Sequence, residues 1–220
     1  MQNLLFGHYG SDIISFVVSV ALLVIYHLFV RYKIRKNPAY TIQAVNNIAR
    51  AAWVREIMTT QGKEVLAVQT LRNSTMAATF IASTAVLLVI GTLTLSGEGD
   101  KLNSTWHTLN VAGSADQALW EVKLLLLVID FFVAFFNGSM AIRFFNHVGY
   151  MVNVPQSLQH EALTPQLVAG HLNRAGRFYS LGMRAYYFSV PLVFWLFGSY
   201  LMLVSTIGLL VVLYYLDRAR

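Results

Sequence analysis

Four apolar runs, at 13–30, 75–95, 119–142 and 185–216, dominate this chain, and three of them contain no Asp, Glu, Lys or Arg. About twenty such residues in a helix cross the ~30 Å hydrocarbon layer of a bilayer. Composition agrees: of 220 residues 56% are hydrophobic and 12% charged, whereas a soluble domain has about a quarter charged. The sequence therefore reads as an all-α integral membrane protein, a single membrane domain over 1–220 built as a four-transmembrane-helix bundle. The run at 13–30 is expected to stay as a span, because residues 1–12 carry no Lys or Arg and no small-x-small cleavage pattern follows it. The run at 185–216 has 32 residues, about 48 Å of helix, too long for one upright span and too short for two with a turn. One tilted helix is expected, with Tyr186 and Tyr187 anchoring one end, Tyr214 and Tyr215 the other, and a kink at Pro191.

Charge orients the bundle. Twelve of the sixteen basic residues fall within 31–72 and 143–184, whereas 97–118 carries Glu98, Asp100 and Asp116 against Lys101. Basic loops stay cytoplasmic, so both termini are expected outside, in a membrane such as the bacterial inner membrane, although Arg218 and Arg220 weigh against that end. The net charge of +6 then reports topology, and no nucleic-acid partner is implied. Zero cysteines exclude disulfides, iron–sulfur clusters and thiol nucleophiles.

The inner loops have structure of their own. Residues 41–60 set Ile42, Val45, Ile48, Ala49, Ala52, Trp53 and Ile57 on one helical face, with Pro38 before and Gly62 after. This predicts an amphipathic helix, either lying in the cytoplasmic headgroup layer or packed on the protein's own spans. A second, short helix is predicted at about 165–175, with Thr164 as cap, Pro165 in the first turn and Gly176 as stop.

The stretch Q-T-L-R-N-S-T-M-A-A-T-F from Gln69 to Phe80, the earlier Trp53-Val54-Arg55 and the late G-M-R-A-Y-Y-F from Gly182 to Phe188 resemble the domain-of-unknown-function family numbered five hundred ninety-nine, found in bacteria and plants. The resemblance covers most of the chain. It implies a multi-span membrane protein of uncharacterised activity, brings no catalytic residues, and draws attention to Arg72-Asn73 and to Arg184 with Tyr186 and Tyr187.

Asp130 stands near the middle of the third run, where a carboxylate is costly and needs a partner or a function. Ser19, Ser83, Thr84, Ser199 and Tyr200 fall near its depth, and Lys123 and Asn137 lie seven residues to either side, on its helical face. These residues make a candidate proton or cation site; the alternative is a neutral Asp that hydrogen-bonds helices together. Ser74, Ala78, Ala82, Ala85 and Gly91 form a small-residue stripe that lets helices approach closely. His27 and His147, on different helices near the inner side, are the one pair that could ligate a haem b; no other metal or cofactor is indicated. Gly97-Glu98-Gly99-Asp100 spells an aspartyl-protease pattern in the outer loop and is read as a turn. Arg72, Arg143, Arg174, Arg177 and Arg184, with Trp53, Tyr186 and Tyr187, could bind lipid phosphates or an acidic partner, or could simply anchor the spans.

No catalytic motif occurs. The expected function is a non-catalytic accessory or scaffold subunit packed against lipids and other membrane-protein subunits, which the many phenylalanines from Phe131 to Phe145 favour. The alternative is a homo-oligomeric channel or secondary transporter using Asp130, and a third reading is a haem-bearing electron-transfer subunit.

Overall fold

The computed structural model describes residues 2–97, 117–155 and 160–219, with side chains from Gly10 onward. The described residues form six helices: α1 (Gln2–Lys36), α2 (Ile42–Thr59), α3 (Glu64–Gly97), α4 (Gln117–Val152), α5 (Pro165–Phe197) and α6 (Ser199–Asp217). Three of them, α1 from Gly10, α3 and α6, are long and apolar enough to cross a membrane. The acidic stretch expected to form the outer loop, with Glu98, Asp100 and Asn103, lies outside the described residues.

α1 is inverted relative to a soluble amphipathic helix. Its buried positions are Asp12, Ser15, Ser19, Tyr26 and Val30, spaced to fall on one face, while Ile14, Val17, Ile25 and Leu28 are more than half exposed. Apolar groups face outward and polar groups face the neighbouring helices, as expected of a span surrounded by lipid. The middle of the stripe on α3 packs as its spacing suggests, while Gly91 is exposed with nothing within 4 Å of its Cβ position. Ala78, Ala82 and Ala85 are buried, and Gly138 of α4 sits so close that a Cβ there would lie 3.1 Å from the Ala82 nitrogen and 3.3 Å from the Ala78 carbonyl oxygen.

The last apolar run is not one tilted helix. α5 continues through Pro191 to Phe197 and stops at Gly198, whose φ of 154° and ψ of 151° fall in a region essentially reserved for glycine. α6 then folds back along α5. Arg184 and Asp217, which a continuous helix would hold about 50 Å apart, form an ion pair of 2.5 Å, and Tyr187 and Phe188 pack against Leu209 and Leu213. Tyr186, Tyr187, Tyr214 and Tyr215 therefore belong to the same end of the hairpin.

The fold-back also corrects the placement of the C-terminus. Thr41 bridges to Arg218, and the Ala219 N–H donates to the Tyr40 carbonyl at 3.0 Å. The C-terminus thus lies beside the basic α1–α2 connection, at the opposite end of the bundle from the start of α1. Arg218, which argued against an outer C-terminus, joins the other basic residues.

The inner helices merge with the bundle. α2 starts where its cap requires, the Thr41 hydroxyl accepting from the Ala44 N–H at 3.3 Å. Its second half buries Val54, Ile57 and Met58 against Leu71, Phe145, Val148 and Leu172 of α3, α4 and α5. Its first half leaves Ile42 43% and Ile48 64% exposed. Thr164 and Pro165 open α5 as expected, but Gly176 does not stop it. Gly176 is a buried interior residue of that helix, and its missing Cβ makes room for the Arg50 guanidinium, which an added Cβ would meet at 2.3 Å.

Candidate functional site

Two polar clusters tie the long helices together. At the Gly198 end of the hairpin Asp12 of α1, wholly buried, pairs with Lys123 of α4 at 2.9 Å, and Lys123 is 4% exposed. Trp195 of α5 completes the cluster: its indole N–H donates to Asp12 at 2.8 Å, its carbonyl accepts from Lys123 at 3.1 Å, and the ammonium stands 5.0 Å from its ring centre. Buried charges persist when paired and hydrogen-bonded, and here both conditions hold. Asp12 is not among the residues that the sequence singles out, because it lies just before the apolar run at 13–30. The available signal was a lone acid at the lip of one apolar run and a lone lysine inside another.

At the opposite end of the hairpin, beside the α1–α2 connection, Asp217 of α6 receives Arg184 at 2.5 Å and the Tyr26 hydroxyl at 2.9 Å. His27 joins through Nε2, 3.2 Å from Arg184, and Nδ1, 2.8 Å from the Leu23 carbonyl. A carbonyl only accepts, so Nδ1 carries the proton and Nε2 accepts from Arg184. Midway, the Thr206 hydroxyl donates to the Met202 carbonyl at 2.7 Å and is hydrogen-bonded to the Ser19 hydroxyl at 3.1 Å.

Asp130 does not gather the partners its depth suggested. Lys123 faces Asp12, Asn137 donates to the Val133 carbonyl at 2.7 Å, and Ser19 is bonded to Thr206. Ser83, Thr84 and Tyr200 are exposed, whereas Ser199 is buried. One Asp130 carboxylate oxygen is buried with no hydrogen-bond partner among the described residues.

The haem pair fails on geometry. His27 is held by Arg184, whereas the His147 ring lies 6.4 Å from that of His171. Arg184 and His171, both on α5, are thirteen positions apart, about 20 Å along the helix, and the His27 Nε2 that would face an iron is already used. Among the described residues no cluster of three or more metal-ligating side chains occurs.

The inner arginines have separate fates. Arg72, Arg143, Arg174 and Arg177 are exposed, and Arg184 is turned into its ion pair. Tyr186 donates to the Ile81 carbonyl at 2.5 Å, and Tyr187, partly buried, packs against the cluster of Tyr26, Val30, Leu209 and Leu213.

Two hollows flank the inner halves of α3 and α4. A groove of about 600 Å³ between these helices runs from Arg72, Asn146 and Asn153 to Phe80 and Ser83. A cavity of about 590 Å³ lies on the α2 side, lined by Asn46, Arg50, Trp53, Asn73, Ser74 and Tyr179 among others. Sequence reasoning put Trp53 with the surface arginines and did not single out Arg50, because nothing in the sequence said that α2 folds over α5.

No curated protein and no solved structure matches the chain. A family model does, over residues 14–220, a range that includes both polar clusters except Asp12 and all of the α2 cavity. The chain belongs to the family described as protein of unknown function, DUF599.

Proposed function

We propose that this protein is a non-catalytic accessory protein of the membrane that acts by packing against other membrane proteins or lipids. The supporting observation is the division of its side chains. Two ion pairs hold α1 to α4 and α5 to α6, whereas the outer faces of α3 and α4 are apolar and aromatic, with Phe80 69%, Phe132 54% and Phe136 58% exposed. The groove between these two helices has a basic, amide-lined inner end and an apolar outer part, a shape that suits an amphipathic partner helix or a lipid chain with its headgroup at Arg72. In this reading five segments cross the bilayer, namely α1, α3, α4, the later half of α5, and α6. The basic loops and the C-terminus are cytoplasmic, and the exposed start of α2 dips into the headgroup layer.

Native mass spectrometry of the protein released gently from its own membranes tests this. The expected spectrum shows the chain with larger membrane proteins or with stoichiometric lipid, and substituting Phe80 and Phe136 by Ser reduces that association. A bare homo-oligomer would overturn the accessory role. It would favour a second reading, a homo-oligomeric channel or transporter in which the unpartnered Asp130 oxygen finds its ligand between protomers; loss of flux in Asp130→Asn would then support that role.

A further inference from the structure

We propose that the cavity under α2 is a binding site for a phosphate group, held by Arg50. Lys123 and Arg184, packed between helices, each meet a carboxylate. Arg50, packed over Gly176, meets none among the described residues. Its hydrogen bond goes to the Asn47 side-chain oxygen at 3.2 Å, none of the residues lining its cavity is Asp or Glu, and its one electrostatic perturbation is burial, which pulls its pKa below the ordinary arginine value. A half-buried guanidinium without a counter-charge is unfavourable, and an oxyanion is the group its planar fork of donors fits.

The surroundings are built for such a group. Gly176 opens the space in which the guanidinium lies. Asn46, Asn73, Thr70 and Ser74 bring neutral amides and hydroxyls to the same cavity, while Trp53 and Tyr179 supply an aromatic wall. The asparagine amides and the Thr70 hydroxyl can donate to phosphate oxygens without adding charge, whereas the Ser74 hydroxyl donates to the Thr70 carbonyl at 3.0 Å.

The depth suits either a lipid headgroup or a free phosphate compound. Gly176 lies eight residues inward of Arg184, and Ile34 eight residues inward of Tyr26, in two helices joined at that level through Asp217. The cavity is therefore level with the basic end of α1, about 12 Å inside the inner polar cluster. The inference does not depend on the accessory role above, because it concerns Arg50 and not the α3–α4 face.

The test compares the full chain with Arg50→Gln and Gly176→Ala. The second variant leaves Arg50 in the sequence but displaces its flexible end from the cavity, and alanine favours helix over glycine. In one arm, thermal unfolding in uncharged detergent is followed with about 10 mM inorganic phosphate against chloride at matched ionic strength. In the other, nanodiscs of phosphatidylglycerol and phosphatidylcholine are opened in the mass spectrometer and the retained anionic lipid is counted. The unaltered chain is expected to respond in at least one arm, with apparent affinity falling about tenfold or more in Arg50→Gln. A response to inorganic phosphate assigns a soluble phosphate compound, and a response confined to the nanodisc arm assigns a lipid headgroup. Should Arg50→Gln not fold, Gly176→Ala decides by the same loss. No response of the unaltered chain in either arm, or an equal response in the variants, overturns the proposal.

Discussion

Replacing Lys123 by Leu is expected to lower the stability of the protein in mild detergent by about 3–5 kcal/mol, the usual cost of leaving one member of a buried ion pair alone. Asp12 has no exposed surface and sits between Lys123 and the Trp195 indole. Without the ammonium its carboxylate must take up a proton or draw α1 away from α4 and α5. The double variant Asp12→Leu with Lys123→Leu is expected to recover most of the loss, since an apolar pair of similar volume commonly replaces a buried ion pair at little cost. A double-mutant cycle read by thermal unfolding measures this. Additive effects of the two substitutions would show that these charges do not depend on each other.

Gly138→Leu is expected to be nearly as damaging, by about 3 kcal/mol at the upper end of overpacking costs, and by a different mechanism. The atoms nearest the new Cβ are the backbone nitrogen and Cβ of Ala82 and the backbone oxygen of Ala78, none of which can rotate away. α3 and α4 must separate along the Ala67–Ala85 stripe, on which the inner core from Leu71 to Phe145 also depends. Gly138→Ala is expected to cost much less, because a single methyl needs a shift of only tenths of an ångström. Equal unfolding temperatures for Gly138→Leu and the unaltered chain would show that these helices do not pack this closely.

The features written in local sequence were legible in it. Apolar runs located α1, α3 and α4, although each helix extends beyond its run because flanking residues such as Glu64–Asn73 continue the helix with Ala67 and Leu71 turned inward. The cap at Thr164 was readable because a hydroxyl followed by a free N–H three residues on is a local device; Thr41 caps α2 in the same way. Features that depended on tertiary contact were not legible. A single glycine reverses the last run at Gly198, yet Gly176, the stronger stop signal by position, lies within a helix because Arg50 packs on it. Depth counting placed Asp130 beside hydroxyls that face other directions, since equal depth does not fix azimuth. The ion pairs Asp12–Lys123 and Arg184–Asp217 join residues that no sequence spacing relates.

The claim on which the rest depends is the reversal at Gly198, because it sets the crossing number, joins Arg184 to Asp217 and places the C-terminus beside the basic loops. The chain contains no cysteine, so single cysteines introduced at Asn3 and Ala219 can be labelled with a membrane-impermeant maleimide in sealed vesicles of known orientation. The account expects the two positions to react from opposite sides, Ala219 from the same side as a cysteine at Gly62 in the α2–α3 turn. Labelling of Asn3 and Ala219 from one side would contradict the hairpin and restore a single helix across the last apolar run.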